Sequence, residues 1–166
     1  MNSYNNLFIT AVFLLLLSSG CQAQDKDSAF PGGCGSHGIK ISGEKVILNY
    51  GTGDAQGLVL FHNISGQAII LNHAPKDPGA SAGWSTELGP GNWSALTTSV
   101  PDVDYTCSTA GPASYAELTC SKVIEVCAFS NPVFKTGDSG TFWVSEDKPL
   151  SAVMDSIKSR GIGLKD

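Results

Sequence analysis

Short runs of residues that favour β-strands alternate with turn-forming residues along most of the chain. These runs predict strands at residues 45–50, 58–62, 68–72, 84–88, 93–97, 104–108, 114–120, 122–129, 133–136 and 141–145. Asn63-Ile-Ser-Gly66 predicts a hairpin between the second and third runs, and Gly137-Asp-Ser-Gly140 predicts one between the last two. Many short strands at this spacing are typical of an antiparallel β-sandwich or a barrel-like domain.

The C-terminal part departs from this pattern. Apolar residues recur there at helical spacing, at Leu150, Val153, Met154 and Ile157. Asp147 is the expected N-cap, Pro149 fits the first turn, and Gly161 fits a C-terminal stop. The sequence therefore predicts a single mostly β domain over residues 39–166, with one amphipathic helix that covers an edge or one end of a sheet.

The N-terminus carries an export signal. Residues 7–17 are apolar, which suits the central region of a signal peptide and is shorter than the roughly 20 residues that span a bilayer. Cleavage after Ala23 would remove residues 1–23 as a signal peptide. Alternatively, Ser19-Gly20-Cys21 resembles the end of a lipobox, so that residues 1–20 are removed and Cys21 is acylated. Residues 24–38 are polar and Gly-rich, and we expect them to form a tether.

Four cysteines remain after either cleavage, namely Cys34, Cys107, Cys120 and Cys127. In an oxidising compartment they predict two disulfides, with three ways to pair. If residues 120–127 form a strand, its ends lie roughly 23 Å apart, too far for a bond between Cys120 and Cys127. We favour Cys107–Cys120, closing a hairpin, with Cys34–Cys127. The pairing of Cys34 with Cys120 and of Cys107 with Cys127 stays open.

The charge pattern restricts the partners. The formal net charge is −5 and no basic cluster is present, which argues against nucleic acid and against an anionic membrane surface. Contact with a membrane is expected only through acylated Cys21. The spacing of Cys34 and His37 suits zinc but has no matching second pair. We therefore expect neither a metal site nor a cofactor.

Residues 137–140, Gly-Asp-Ser-Gly, match the short signature around the nucleophile of chymotrypsin-like serine proteases. His62 or His73, followed by Asp102 or Asp104, would complete a triad with Ser139 in the corresponding chain order. The chain is short for the two barrels that hold such a triad, and a turn explains the same residues. A hydrolase that uses Ser139 or the Asp102 and Asp104 carboxylates is therefore the alternative function, and no catalytic residue is assigned.

The candidate binding residues are His73, Trp84 and Trp93. The two tryptophans lie on either side of Gly89-Pro-Gly-Asn92, a strong turn signal, and could face each other or line one surface. If they are exposed, they form a stacking platform for a sugar or an anchor for a protein partner. If they are buried, they belong to the core, which is the interpretation we favour for the tryptophans.

Residues 72–96, which begin Asn-His-Ala-Pro-Lys-Asp-Pro and end Pro-Gly-Asn-Trp-Ser-Ala-Leu, resemble the small exported enhanced-entry proteins of the EnhB type, found in Legionella-like intracellular bacteria. Residues 140–150, Gly-Thr-Phe-Trp-Val-Ser-Glu-Asp-Lys-Pro-Leu, resemble the C-terminal portion of the same proteins. The resemblance implies an envelope or secreted bacterial protein linked to the invasion of host cells. It supplies no catalytic residues to transfer.

Export, two predicted disulfides and the β pattern together favour a non-enzymatic binding or interaction protein. Its expected location is the periplasm, the outer membrane as a lipoprotein, or the exterior of the cell. Its expected partner is a protein or a glycan, in the envelope or on a host surface. A sugar-binding module built on Trp84 and Trp93 is a special case of this hypothesis.

Overall fold

The structure, a computed structural model, describes residues 30–49, 56–74, 84–111, 116–135 and 140–164. The strands are β1 (Cys34–Gly35), β2 (Ile39–Ser42), β3 (Lys45–Leu48), β4 (Gly57–Asn63), β5 (Ile69–Ala74), β6 (Thr86–Leu88), β7 (Trp93–Thr98), β8 (Val103–Thr109), β9 (Glu117–Leu118), β10 (Ile124–Phe129), β11 (Pro132–Val133), β12 (Phe142–Lys148) and β13 (Gly163–Leu164). The helices are α1 (Cys120–Val123) and α2 (Leu150–Ser159).

Two antiparallel sheets make up the body of the domain. The first has the strand order β1-β10-β4-β7-β12, and the second has the order β2-β3-β8-β5-β6, with β9 also paired to β8. A small third sheet joins β11 to β13. The predicted antiparallel β-sandwich with a C-terminal helix is confirmed.

The central strand β4 shows how the layers are held together. Its side chains alternate between two hydrophobic clusters, with Val59 and Phe61 in one and Leu58 and Leu60 in the other. Successive residues of a strand point to opposite faces of the sheet, so the first sheet is buried on both sides. One cluster fills the space between the two sheets. The other lies between the first sheet and α2.

Helix α2 packs on the outer face of the first sheet, over β7 and β12. Because β12 is the edge strand of that sheet, the helix covers the sheet at this edge, as predicted. Val153 and Ile157 are its buried residues. The helix ends as expected at Gly161, whose φ is +74°. The amide of Gly161 donates to the carbonyl of Lys158, and that of Ile162 donates to that of Ile157, which is a Schellman motif.

Asp147 does not cap α2. The helix N-cap is Pro149, with no side-chain cap bond, and Asp147 belongs to β12 with a φ of +47°. Its Oδ1 accepts hydrogen bonds from the backbone amide of Gly89 at 2.7 Å and from Nδ2 of Asn92 at 2.9 Å. The carboxylate therefore holds the turn before β7 instead of a helix terminus.

Both favoured disulfides are present, and the prediction is confirmed. Cys34 is bonded to Cys127, and Cys107 is bonded to Cys120. Cys107 lies in β8 opposite Leu118 of β9, and Cys120 follows β9 by two residues, so this bond closes a hairpin. The chain between Cys120 and Cys127 is not one strand, because α1 precedes β10. Two disulfides indicate an oxidising, exported environment.

The two hairpins predicted at residues 63–66 and 137–140 do not form. Strand β4 lies in the first sheet and β5 in the second, so the turn at Asn63 carries the chain from one sheet to the other. Likewise β11 pairs with β13, and β12 pairs with β7. Turn residues mark where a strand stops. They do not determine which sheet the chain enters next, and β4 finds its neighbours at distant positions in β10 and β7.

The described part of the expected tether, residues 30–38, belongs to the domain. Cys34 and Gly35 form β1 beside β10, and the ring of Phe30 meets that of Trp93 edge to face at 6.0 Å. The predicted signal, with Cys21, lies outside the described residues. Among the residues that are described, no helix has the length and apolar character needed to cross a bilayer.

Candidate functional site

Two of the candidate binding residues, His73 and Trp84, come together at the edge of the second sheet. His73 lies near the end of β5, and Trp84 lies just before its partner strand β6. Their ring centroids are 4.5 Å apart and their planes are tilted by 55°. The backbone amide of His73 donates to Oγ of Ser85 at 3.2 Å, which fixes the chain around both rings. Both side chains are half-buried.

Tyr105 continues this pair into the interior. It stands opposite His73 in the β5–β8 register, and the two ring centroids are 5.8 Å apart. Tyr105 is 0% exposed. Its hydroxyl is buried without a hydrogen-bond partner among the described residues. A buried tyrosine hydroxyl usually finds a partner, so this one is an unused polar group inside the domain.

The first sheet completes the cluster with Phe61 and Trp143. The ring of Phe61 lies 5.3 Å from that of Tyr105 and 5.8 Å from that of Trp143. Trp143 is half-buried, and its Nε1 is buried with no hydrogen-bond partner in the described part of the chain. The Nδ1 atom of His73 is also buried with no hydrogen-bond partner among the described residues. We call His73, Trp84, Tyr105 and Trp143 the aromatic site, with Phe61 as its apolar neighbour.

The aromatic site has no charged side chain at neutral pH. Burial lowers the pKa of His73 below its ordinary value, and the nearby carboxylate of Asp104 opposes that shift without reversing it. Burial raises the pKa of Tyr105. The site can therefore offer hydrogen bonds from a neutral imidazole, a phenol and an indole, together with aromatic ring faces. These groups suit the binding of a ligand better than the transfer of a proton near pH 7.

Trp93 is not part of this site. It is 4% exposed and belongs to the cluster under α2, so the favoured core position is confirmed for Trp93, and the shared surface with Trp84 does not exist. The imidazole of His62 lies flat on the indole of Trp93, with centroids 4.0 Å apart and planes within 5°. Nδ1 of His62 lies 3.5 Å from Oε2 of Glu125, within ion-pair distance but without hydrogen-bond geometry.

A cavity of about 330 Å³ lies where the N-terminal segment passes the ends of β4 and β10. It is lined by His37, Gly38, Asn49, Gln56, Gly57, Phe129, Ser130 and Pro132. Its amide groups already have partners inside the protein. The side-chain amide of Gln56 bonds to both backbone groups of Gly140, and the backbone N–H of Asn49 donates to the carbonyl of Gly38. The aromatic site is therefore the stronger candidate.

Among the described residues, one pair of the hydrolase candidates comes close together, His73 and Asp104 on the neighbouring strands β5 and β8, but no triad is assembled. Ser139 lies outside the described residues. His62 and His73 lie on different sheets, Asp102 is exposed in the turn before β8, and Asp104 is half-buried in that strand. Cys34 is in a disulfide and cannot serve as a zinc thiolate. Within the described ranges, no group of three or more metal-ligating side chains converges.

The sequence pointed to His73 and Trp84 but not to Tyr105 or Trp143. Tyr105 lies between Val103 and Cys107 in a regularly alternating strand, where an inward tyrosine looks like any other core aromatic. The one signal in the sequence was that Tyr105, at an inward position of this strand, carries a hydroxyl group. No family model, no curated protein and no solved structure matches the chain.

Proposed function

We propose that the protein is an exported, non-enzymatic binding protein of the bacterial envelope, stabilised by two disulfides, which takes a protein or glycan partner at the aromatic site. The periplasm, the outer membrane through a lipid on Cys21, and the medium outside the cell are the locations that this proposal covers. The apolar run at residues 7–17 and the two disulfides support the compartment.

One observation carries the binding role. Three buried polar atoms, on His73, Tyr105 and Trp143, have no hydrogen-bond partner among the described residues and belong to one aromatic cluster. Two of the rings that carry them, those of His73 and Trp143, are themselves half-buried, so a partner can contact these rings while Tyr105 lies behind them in the core. The cluster approaches the surface at half-buried Trp84, which gives a partner a point of contact.

The resemblance to enhanced-entry proteins of the EnhB type adds a biological setting to the proposal. Trp84 and His73 both fall within residues 72–96, and Trp143 falls within residues 140–150, the two stretches that carry the resemblance. We therefore propose that the protein binds its partner either on the host cell during contact or in the bacterial envelope before contact.

Crosslinking in the envelope tests the proposed function. Tagged mature protein is crosslinked in intact envelope fractions of the producing bacterium, and the captured species are identified by mass. Wild-type protein is expected to capture a partner that Trp84→Ala does not capture. Ile64→Ala is the control, because Ile64 is also a partly exposed apolar residue, at 37%, and lies outside the aromatic site. Equal capture by all three proteins, or capture by none, contradicts the proposal.

A further inference from the structure

We infer that Cys34 is the point at which an exported dithiol protein reduces the Cys34–Cys127 bond, and that this reduction frees the N-terminal segment from a domain that stays folded. The N-terminal segment is residues 30–37. The inference goes beyond the proposed function and does not depend on the aromatic site. It follows from the burial of the four cysteines and from how few other contacts hold the segment.

The four bonded cysteines differ in burial. Cys107 is 1% exposed and Cys120 and Cys127 are 0% exposed, whereas Cys34 is only half-buried. A reducing thiolate must reach one of the two sulfur atoms, so access to the sulfur controls the rate of thiol–disulfide exchange. Both members of the Cys107–Cys120 bond belong to the hydrophobic cluster between the sheets. The Cys34–Cys127 bond therefore offers an entry point for a reductant that the other bond lacks.

Few other contacts within the described ranges hold the N-terminal segment. Its strand β1 has two residues and lies at the edge of the first sheet, paired with β10. Phe30 packs on the cluster under α2, with its ring edge to face with that of Trp93 at 6.0 Å. The segment ends before Gly38, whose carbonyl accepts from the backbone N–H of Asn49. Half of its eight residues are exposed, namely Gly32, Gly33, Ser36 and His37.

The strand that carries Cys127 is held much more firmly. Strand β10 pairs with β4 along six residues, from Ile124 to Phe129. Its side chains alternate between the two hydrophobic clusters, with Ala128 between the sheets and Cys127 under α2. Breaking the bond to Cys34 leaves all of these contacts in place. The segment, which also regains the freedom of its glycines, is therefore the part that leaves.

The reduction transfers two electrons from the dithiol protein to the cysteine pair. One thiolate of the dithiol attacks Sγ of Cys34, the bond between the two Sγ atoms breaks, and Cys127 leaves as a thiolate that takes up a proton. The second thiolate of the dithiol then attacks the reductant sulfur of the mixed disulfide. This step releases Cys34, which also takes up a proton, and leaves the reductant as an internal disulfide. The two protons lost by the dithiol balance those gained.

Release of the segment changes the surface and the reach of the domain. Trp93 loses the ring of Phe30, and the end of β10 loses its pairing with β1. The eight released residues join the chain that precedes the domain. At about 3.3 Å per residue they lengthen that chain by up to roughly 26 Å. In protein acylated at Cys21, the domain then reaches farther from the membrane.

Timed reduction of the mature, disulfide-bonded protein tests the entry point. The first probe is dithiothreitol, a small dithiol, with free thiols trapped by N-ethylmaleimide and mapped on peptides by mass. Label is expected on Cys34 and Cys127 about tenfold sooner than on Cys107 and Cys120, because access to sulfur controls the rate. Labelling of all four cysteines together, or of Cys107 and Cys120 first, overturns the inference.

Thioredoxin replaces dithiothreitol in a second series, because it is a dithiol protein and must dock on the domain to reach a sulfur atom. It is expected to reduce the same bond first. If dithiothreitol reduces the bond and thioredoxin does not, Cys34 is closed to proteins and the inference is wrong.

Amide hydrogen exchange separates release of the segment from unfolding. In reduced protein, peptides from residues 30–37 are expected to lose their protection while peptides from β4 and β8 keep theirs. Cys34→Ser lacks the bond and should show this pattern without a reductant, whereas oxidised wild type should protect β1. A segment that stays protected after reduction, or a loss of protection in β4 and β8 as well, overturns the inference.

Discussion

The amide nitrogen Nδ2 of Asn63, in the first sheet, donates a hydrogen bond of 2.8 Å to the carbonyl oxygen of Leu88, in the second sheet. The same nitrogen donates to the carbonyl of Gln67 at 2.8 Å, and Oδ1 accepts from the amide and the hydroxyl of Ser65. Asn63 is 0% exposed, and its amide is fully used. This one side chain forms the turn after β4 and ties that turn to the opposite sheet.

Asn63→Asp is expected to lower the free energy of unfolding by about 3 kcal/mol, because a carboxylate oxygen would face the two carbonyl oxygens that now accept from Nδ2. Urea denaturation measures the change. Ser65→Ala is the control, since it removes the hydroxyl contacts with Asn63 and Gln67 at the more exposed side of the turn, leaves the link to Leu88 in place, and should cost about 1 kcal/mol. Equal stability of wild type and Asn63→Asp would show that the hydrogen bond from Asn63 to Leu88 does not stabilise the fold.

Stability should depend on pH through His73. Burial lowers its folded-state pKa, so below about pH 6.5 the unfolded chain takes up a proton before the folded protein does. The free energy of unfolding is therefore expected to fall as the pH is lowered from about 6.5 through the folded-state pKa, and then to level off. His73→Phe keeps a ring beside Trp84. It removes the part of the pH dependence of the unfolding free energy that comes from His73.

Unfolding free energies of the wild type and of His73→Phe, measured between pH 7.5 and pH 4.5, check this prediction. All other ionisable groups are present in both proteins, so the difference isolates the contribution of His73 and of its interaction with Asp104. A difference that does not change with pH contradicts the assigned burial of His73.

The two disulfides should contribute unequally. Cys34–Cys127 joins residues 93 positions apart, whereas Cys107–Cys120 joins residues 13 apart. Loop-closure entropy predicts a contribution of about 4.5 kcal/mol from the longer loop and about 3 kcal/mol from the shorter one. Removing each pair as a double Cys→Ala variant, with urea midpoints as the measurement, should destabilise the protein in that order. The reverse order would indicate that native packing around Cys107 and Cys120 outweighs the constraint on the unfolded chain.

Gly161→Ala should destabilise the end of α2 through backbone strain. Gly161 has a φ of +74°, which costs a residue with a Cβ roughly 1–2 kcal/mol. A Cβ at this position would also meet the far end of the Lys135 side chain, but that side chain is exposed and flexible and can move aside. Thermal unfolding of Gly161→Ala, Lys135→Ala and the double variant separates the terms. The double variant should lose nearly as much stability as Gly161→Ala, and recovery of most of the loss would contradict the assignment to backbone strain.

Sequence patterns predicted the local features of the fold well. The cysteine spacing, the strand pattern and the stop at Gly161 each rest on neighbouring residues or on covalent geometry, and the structure confirms them. The connection between strands was not predictable in this way. The turn after Asn63 crosses between sheets because its side chain bonds to Leu88, which is 25 residues away in the sequence.

The candidate site was predictable only in part, for the same reason. His73 and Trp84 stand out as polar or large aromatic residues at the ends of strands. Tyr105 and Trp143 join them only when β8 and β12, in different sheets, are stacked. The assignment of Trp93 shows the converse, since a tryptophan nine positions from Trp84 lies on the other face of the first sheet, under Phe30 and against His62.

The most direct test of the aromatic site uses the indole N–H signals of the three tryptophans, Trp84, Trp93 and Trp143. Proton–nitrogen correlation spectra of the mature, disulfide-bonded protein are recorded while purified envelope glycans and peptides are added. Binding at the aromatic site should shift the signals of Trp84 and Trp143 and leave that of Trp93, buried under α2, in place. A shift of Trp93 alone, or no shift of any indole signal at saturating ligand, would contradict the proposed site.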